Sequence, residues 1–283
     1  SGEPLLEFGT RRAQELDAAL WGTRAAYIGG FNATSNVRAG KLFNLPVSGT
    51  HAHALVQAYK NDYDAFTAYA KTHHNVVFLV DTFDTLKSGV PNAIKVAREF
   101  GDKINFQGVR IDSGDMVGLS QTIRQELDKA GFPNAKIYAS NDLDEYAITN
   151  LKKQNAKIDV WGVGTKLITA FDQPALGAVY KMVSISGNNT IKLSDDDEKI
   201  STPGKKQIWR TDTGDMLTLF DEQGVGRPIL QDIFVHGKQI YQIPTAQAVQ
   251  RYAKDSLSAI PAPFKRIDSP EKCSVSLSKR LIE

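Results

Sequence analysis

A chain of 283 residues, 41% of them apolar, can build one large or two modest domains around a substantial core, which excludes wholesale disorder. Its 34 Lys and Arg against 32 Asp and Glu leave a formal charge of +2, so no dominant nucleic-acid face is expected, although a local anion site is compatible with that balance. A single cysteine, Cys273, excludes an internal disulfide and a thiolate metal cluster, and agrees with a reducing compartment.

At the amino end, SGEPLLEFGTRR lacks the basic and apolar regions of a signal peptide, and no later run reaches about 18 consecutive apolar residues. A soluble cytoplasmic protein with no membrane partner is expected. From Ala25 to Gly164, short apolar runs then alternate with amphipathic ones, an α/β rhythm. Residues 25–30 (AAYIGG), 76–81 (VVFLVD), 104–112 (INFQGVRID), 136–140 (KIYAS) and 158–164 (IDVWGVG) read as strands, being rich in β-branched and aromatic residues. Between them, His53 to Tyr69 and Val90 to Phe100 read as helices. Met116, Leu119, Ile123 and Leu127, then Leu143, Tyr146, Ala147 and Leu151, recur at helical spacing. Such repetition suits a barrel or a doubly wound sheet, and pattern alone does not separate the two.

After about Leu176 the rhythm changes. ALGAVYKMVSI, NTIKLS, KKQIWRTD, DMLTLFD and DIFVHGKQIYQI predict an antiparallel appendage with Gly and Asp at its turns. A Pro-rich stretch at Ala259 to Pro263 is expected to run across the surface. The organisation expected is an α/β domain over 1–183 followed, over 184–283, by a β-rich appendage and a C-terminal surface segment.

Several clusters can carry chemistry. In VSGTHAHALV, the loop Ser48, Gly49, Thr50 delivers His51 and His53 to the start of a helix, where free backbone N–H groups favour phosphate. His53 can accept a phosphoryl group through its imidazole, or it can serve as a cap or core hydrogen-bonding residue; His51 reads as supporting or solvent-facing. GVRIDSGD follows an apolar strand with Arg110, able to clamp an anion, and Asp112, able to orient a ribose or hold Mg²⁺ through water; both also suit a structural ion pair. Asp81 and Asp84 mark another strand end, with a structural role favoured for Asp84. Ser140 and Asn141 precede a helix, and Gly162, Gly164 and Thr165 follow a strand, an arrangement that lets backbone amides approach phosphate or simply pack and cap. Lys166 is a candidate phosphate donor or a solvent-facing lysine, and GVGTK lacks the spacing of a P-loop. Arg11 in EFGTRR can pair with a planar carboxylate. Lys205, Lys206, Trp209 and Arg210 can approach a phosphate or cap an exposed strand.

Taken in order, EFGTRR, GGFNATSNVRAG, GTHAH, LVDTFDT, VRIDSGD, YASNDLDE and WGVGTKLIT closely resemble nicotinate phosphoribosyltransferases over most of Leu5 to Val183, and KKQIWR fits as well. The resemblance implies the irregular α/β barrel of type II phosphoribosyltransferases with an antiparallel β-rich appendage. It also implies ATP-assisted transfer of phosphoribosyl from phosphoribosyl pyrophosphate (PRPP) to nicotinate, giving nicotinate mononucleotide and pyrophosphate, with Mg²⁺ as cofactor and ATP as co-substrate. By the same resemblance His53 is the phosphorylated histidine and Arg11 faces nicotinate. Arg110 and Asp112 meet base and ribose phosphate, while Ser140, Asn141, Gly162, Gly164 and Thr165 cradle phosphate. The related nicotinamide enzyme carries an aspartate near the position of Ser35, and its absence here suits an anionic substrate.

Family members carry a substantial segment ahead of the position equivalent to Leu5, so this sequence resembles a member without its usual amino-terminal part; a homodimer is implied for the complete enzyme. Quinolinate phosphoribosyltransferase and a noncatalytic PRPP-binding fragment stand as alternatives, with GTHAH favouring the nicotinate enzyme.

Overall fold

A computed structural model of the chain describes residues 2–196 and 199–282. Chain contacts divide it into two compact units, Ser1–Ala175 with Thr245–Lys254, and Leu176–Pro244 with Asp255–Glu283.

The first unit runs β1 (Leu5–Glu7), α1 (Leu16–Ile28), β2 (Ala33–Thr34), α2 (Val37–Phe43), α3 (His53–Gln57), α4 (Asp62–Thr72), β3 (Asn75–Leu79) and α5 (Val90–Phe100). It continues with β4 (Asn105–Ile111), α6 (Met116–Lys129), β5 (Lys136–Ala139), α7 (Glu145–Lys153), β6 (Val160–Val163) and α8 (Thr165–Ile168). Six parallel strands in the order β2-β1-β6-β5-β4-β3 make an open, curled half-barrel, as the type II phosphoribosyltransferase resemblance implies. Val76, Phe78, Val109, Ile111, Ile137, Ala139, Trp161 and Val163 face one layer of helices in the main core, while Leu6, Ala33 and Val160 with Phe8 and Tyr138 pack on the sheet's other face. Burial on both faces explains why β3 reads as an uninterrupted apolar run. Asp115 and Asp144 accept backbone N–H groups at the starts of α6 and α7, capping the helices that the periodicity predicts.

The expected strand at 25–30 is instead the end of α1 and its exit. Leu20, Thr23, Ala26 and Tyr27 are buried at helical spacing, and Glu15 caps the helix through Asp17 N, so tertiary burial overrides the local β character of AAYIGG. The first strand is the three-residue β1, too short to register as alternation. The expected helix from His53 to Tyr69 is broken: Asn61 accepts a hydrogen bond from Asp64 N at 2.9 Å and starts α4 afresh.

The second unit contains β7 (Ser184–Ile185) antiparallel to β8 (Asn188–Asn189), then β9 (Lys206–Thr211), β10 (Gly214–Leu219), β11 (Arg227–Pro228), and β12 (Phe234–Val235) antiparallel to β13 (Lys238–Gln239). Helix α9 (Ala246–Ala259) begins in the first unit, where Ala246 packs with Tyr27 and Leu45 and Gln250 donates to Tyr27 O and Phe31 O. The second unit ends with β14 (Val275–Leu277) and α10 (Lys279–Ile282). The β-rich appendage is thus present, with one difference: β14 joins the sheet β11-β9-β10-β14 in parallel with β10. The Pro-rich stretch is preceded by a long helix that the sequence reading did not anticipate: Thr245 Oγ1 accepts from Ala248 N at 3.2 Å at its start, but Ala246 is the one residue of α9 that is buried, so no apolar stripe marks the helix in the sequence.

Candidate active site

Every strand of the half-barrel points its carboxyl end toward one mouth, the position at which parallel α/β sheets hold their reactive groups. Phe8, Arg11 and Arg12 follow β1, Ser35 follows β2, Arg110 and Asp112 lie at the end of β4, Ser140 to Asp142 follow β5, and Gly162, Gly164 and Thr165 come from β6 and its exit. With Gly49 to His53 and Leu79, they line a cavity of about 340 Å³. The ten residues to which the family resemblance assigns site roles, Arg11, Ser35, His53, Arg110, Asp112, Ser140, Asn141, Gly162, Gly164 and Thr165, all line that cavity.

Arg110 is held by three side chains. Its Nε donates to Ser140 Oγ at 2.8 Å, Nη1 to Thr50 Oγ1 at 2.8 Å and Nη2 to Asp112 Oδ1 at 3.1 Å, while the guanidinium carbon lies 5.4 Å from the Phe8 ring centre. Ser140 in turn donates to Asp112 Oδ1. Burial pushes the Asp112 carboxyl up, but the Ser140 hydroxyl and the Arg110 guanidinium outweigh it and hold the group below the ordinary carboxylate range. The result is a fixed planar cation with an ionised partner, suited to anionic oxygens.

His53 opens α3 and remains partly exposed. Its Nδ1 lies 3.0 Å from Thr82 Oγ1, and its Nε2 faces Asp112 Oδ2 at 3.6 Å and Asp81 Oδ1 at 3.8 Å. Asp81 is itself anchored: Oδ2 accepts from Asp112 N at 2.8 Å and Ser113 Oγ at 2.6 Å, whereas Oδ1 is buried with no hydrogen-bond partner among the described residues. His51 is buried and supporting. Leu79 N donates to its Nε2 at 3.1 Å, which puts the ring proton on Nδ1, and burial lowers its pKa to about 4.

The loop after β5 carries two consecutive non-glycine residues in the left-handed region, Asn141 at φ 97° and Asp142 at φ 43°, a conformation held by the surrounding fold. Gly162 is explained by packing: a Cβ there would lie 2.6 Å from the Phe8 ring, so glycine lets that ring stand beside Arg110. Lys166 turns away from the cavity to pair with Asp144. Asp84 accepts from Leu86 N and Lys87 N and organises the turn Thr85–Gly89, while Lys206, in the second unit, is bound by the carbonyls of Thr202, Pro203 and Gly204. Thr82, Phe8 and Glu7 were missed by the sequence reading; each sits inside a recognised motif, but only their contacts distinguish them from neighbours.

An open parallel half-barrel with an arginine and carboxylates gathered at its carboxyl mouth, accompanied by a β-rich appendage, defines the class as a type II phosphoribosyltransferase-like α/β fold. The profile of the nicotinate phosphoribosyltransferase (NAPRTase) family matches residues 4–222, and that of the nicotinate phosphoribosyltransferase C-terminal domain matches residues 196–283. The chain belongs to the nicotinate phosphoribosyltransferase family.

It is 54% identical over 311 residues to a nicotinate phosphoribosyltransferase of Bacillus subtilis (strain 168), with 98% of this chain and 64% of that protein covered. A nicotinate phosphoribosyltransferase of Mycobacterium tuberculosis (strain ATCC 25618 / H37Rv) is 37% identical over 288 residues, covering 99% of this chain and 62% of that one. The chain therefore spans less than two thirds of the length of these relatives. Among solved structures, human nicotinic acid phosphoribosyltransferase superposes with a TM-score of 0.84 at 26% identity, covering 100% of this chain and 70% of that one. The nicotinate-nucleotide pyrophosphorylase of Pyrococcus furiosus shares the fold, with a TM-score of 0.72 at 23% identity over 91% of this chain and 66% of that one. Among the described residues no helix is long and apolar enough to cross a membrane.

Proposed function

We propose that this chain supplies the catalytic barrel for ATP-assisted transfer of a phosphoribosyl group from PRPP to nicotinate, giving nicotinate mononucleotide and pyrophosphate in cytoplasmic NAD biosynthesis. The observation that carries the reading is the convergence of Arg11, Ser35, His53, Arg110 and Asp112 on one cavity of a chain 54% identical to a nicotinate phosphoribosyltransferase.

In this reading Arg11 pairs with the nicotinate carboxylate, and Ser35 leaves that end of the cavity free of the negative charge an aspartate would bring. Ser140, Asn141, Gly162, Gly164 and Thr165 receive the phosphates of PRPP. The pyridine nitrogen already has a lone pair, so it attacks C1 of the ribose without a general base, and the C1–O bond to pyrophosphate breaks with its electron pair on the leaving oxygen. Arg110 meets the growing negative charge, and its three hydrogen bonds spare reorganisation at that moment.

His53 is the phosphoryl acceptor. Asp81 and Asp112 favour a proton on Nε2, which leaves Nδ1, beside the Thr82 hydroxyl, as the nucleophile toward the γ-phosphorus of ATP, with ADP leaving. The donor set suits Mg²⁺: Asp112 brings a carboxylate to the cavity, and Asp81 behind it has a buried oxygen without a hydrogen bond among the described residues. Held there directly or through water, the ion would neutralise pyrophosphate charge. The complete enzyme works as a homodimer in this reading.

The test is nicotinate mononucleotide formation by the full-length protein from nicotinate, PRPP and Mg²⁺, with and without ATP. ATP-enhanced product is expected. Folded protein that binds PRPP without turnover would favour the noncatalytic alternative, and use of quinolinate or a preference for nicotinamide would overturn the substrate assignment.

A further inference from the structure

Glu7 ends β1 and is 1% exposed, yet no Lys, Arg or His pairs with it within 4.0 Å among the described residues. All three of its side-chain partners are neutral donors: Gly9 N to Oε1, and Thr23 Oγ1 at 2.9 Å and Thr34 Oγ1 at 2.6 Å to Oε2. A buried carboxylate without a cation is costly to keep for packing alone, because an apolar side chain of similar volume would fill the same space. What it gains here is connectivity.

Each partner leads to the mouth. Gly9 O accepts Arg12 N at 2.8 Å and so starts the tight 3-10 turn Thr10–Arg12 that presents Arg11. Thr34 immediately precedes Ser35, whose N at 3.0 Å and Oγ at 3.3 Å both donate to the main-chain oxygen of Glu7. Thr34 Oγ1 also accepts Asn36 N at 2.9 Å, and Asn36 Oδ1 accepts Ala39 N to cap α2. Thr23 is buried on α1, which packs against β1, β2 and the turn that carries Arg11. Glu7 itself is absent from the cavity lining, which includes Phe8, Arg11 and Ser35. One residue therefore ties the turn carrying Arg11 to the strand end carrying Ser35, without touching the space between them.

We propose that Glu7 is a positioning residue for the nicotinate end of the site, setting the separation of Arg11 and Ser35 through Gly9 N–H and the Thr34 hydroxyl. This rests on the assignment of Arg11 and Ser35 to nicotinate made above. Glutamine in place of Glu7 keeps the volume and one acceptor, which satisfies the immovable Gly9 N–H, but its N–H₂ group forces the Thr23 and Thr34 hydroxyls to turn and accept, taking away the acceptor that their own O–H groups have in Glu7. The wall carrying Ser35 loosens, and the base should lose affinity while the phosphate end, built from β4 to β6, is unaffected.

The experiment is steady-state kinetics of the full-length wild type, Glu7→Gln and Thr34→Val, varying nicotinate and PRPP separately, with circular dichroism as the fold control. About a tenfold rise in KM for nicotinate in both variants is expected, with KM for PRPP within about twofold of wild type. Thr34→Val removes a single hydroxyl and carries the same expectation if Glu7→Gln does not fold. An active wild type whose variants keep the wild-type nicotinate KM, or lose only kcat through a smaller folded fraction, overturns the proposal and leaves the functional reading standing. A wild type that makes no nicotinate mononucleotide overturns that reading, and the role of Glu7 falls with it.

Discussion

Arg110 and Asp112, neighbours on one face of β4 and its exit, are joined twice: directly from Nη2 to Oδ1 at 3.1 Å, and through Ser140, whose hydroxyl accepts from Arg110 Nε and donates to the same Oδ1. With Thr50 on Nη1, this leaves the guanidinium plane little freedom to turn. Its direction is set before any ligand arrives, which is the condition for electrostatic preorganisation.

Arg110→Lys should therefore lose far more activity than stability. Lysine keeps the charge but not the fork, so at most one of the three side-chain contacts survives. A fall of about 100-fold in kcat/KM for PRPP is expected, with unfolding free energy lowered by about 1 kcal/mol. Steady-state kinetics and urea unfolding check the two halves; equal losses in both would mean that the arginine serves the fold.

His53→Asn separates the two phosphoryl chemistries. Without an imidazole there is no phosphoryl acceptor, so ATP should no longer stimulate product formation, while the ATP-independent rate stays within about threefold of wild type. Acid-labile phosphate, present on wild type after incubation with ATP and missing from the variant, gives an independent readout.

His51 makes stability pH-dependent. Its folded pKa of about 4 lies below the ordinary 6.5 because burial disfavours the charged ring. Between those values the unfolded chain binds the extra proton, so the stabilisation is complete above pH 6.5 and is lost as pH falls toward 4. The loss amounts to about 3 kcal/mol as an upper figure. Urea unfolding from pH 7.5 to 4.5 should show that slope in wild type and a flatter one in His51→Gln.

Gly162→Ala tests the packing between β6 and Phe8. The added methyl meets the Phe8 ring, which must give way and so disturbs its contact with Arg110. Destabilisation of about 1–3 kcal/mol is expected, together with weaker PRPP binding. Differential scanning calorimetry and PRPP titration measure both, and an unchanged melting temperature would contradict the contact.

Some of this molecule is set by local sequence alone. Strands β3 and β6 read directly because burial on both faces requires an apolar run, β4 and β5 because β-branched and aromatic residues recur in them, and α5 to α7 because one buried face imposes a helical period. The chemical types gathered at the strand ends, and the family they resemble, are equally local properties. Tertiary structure decided the rest, wherever a residue's partner lies far along the chain. AAYIGG is helix because Leu20, Thr23 and Tyr27 find their burial elsewhere. LLE is a strand only because β2 and β6 flank it, and β14 pairs in parallel only because β10 offers an edge. Glu7 looks like any surface glutamate until Thr23 and Thr34, sixteen and twenty-seven residues away, close over it. A sequence states which groups are available; the distances that make them a site belong to the fold, because burial and hydrogen bonding are satisfied between segments that the chain itself keeps apart.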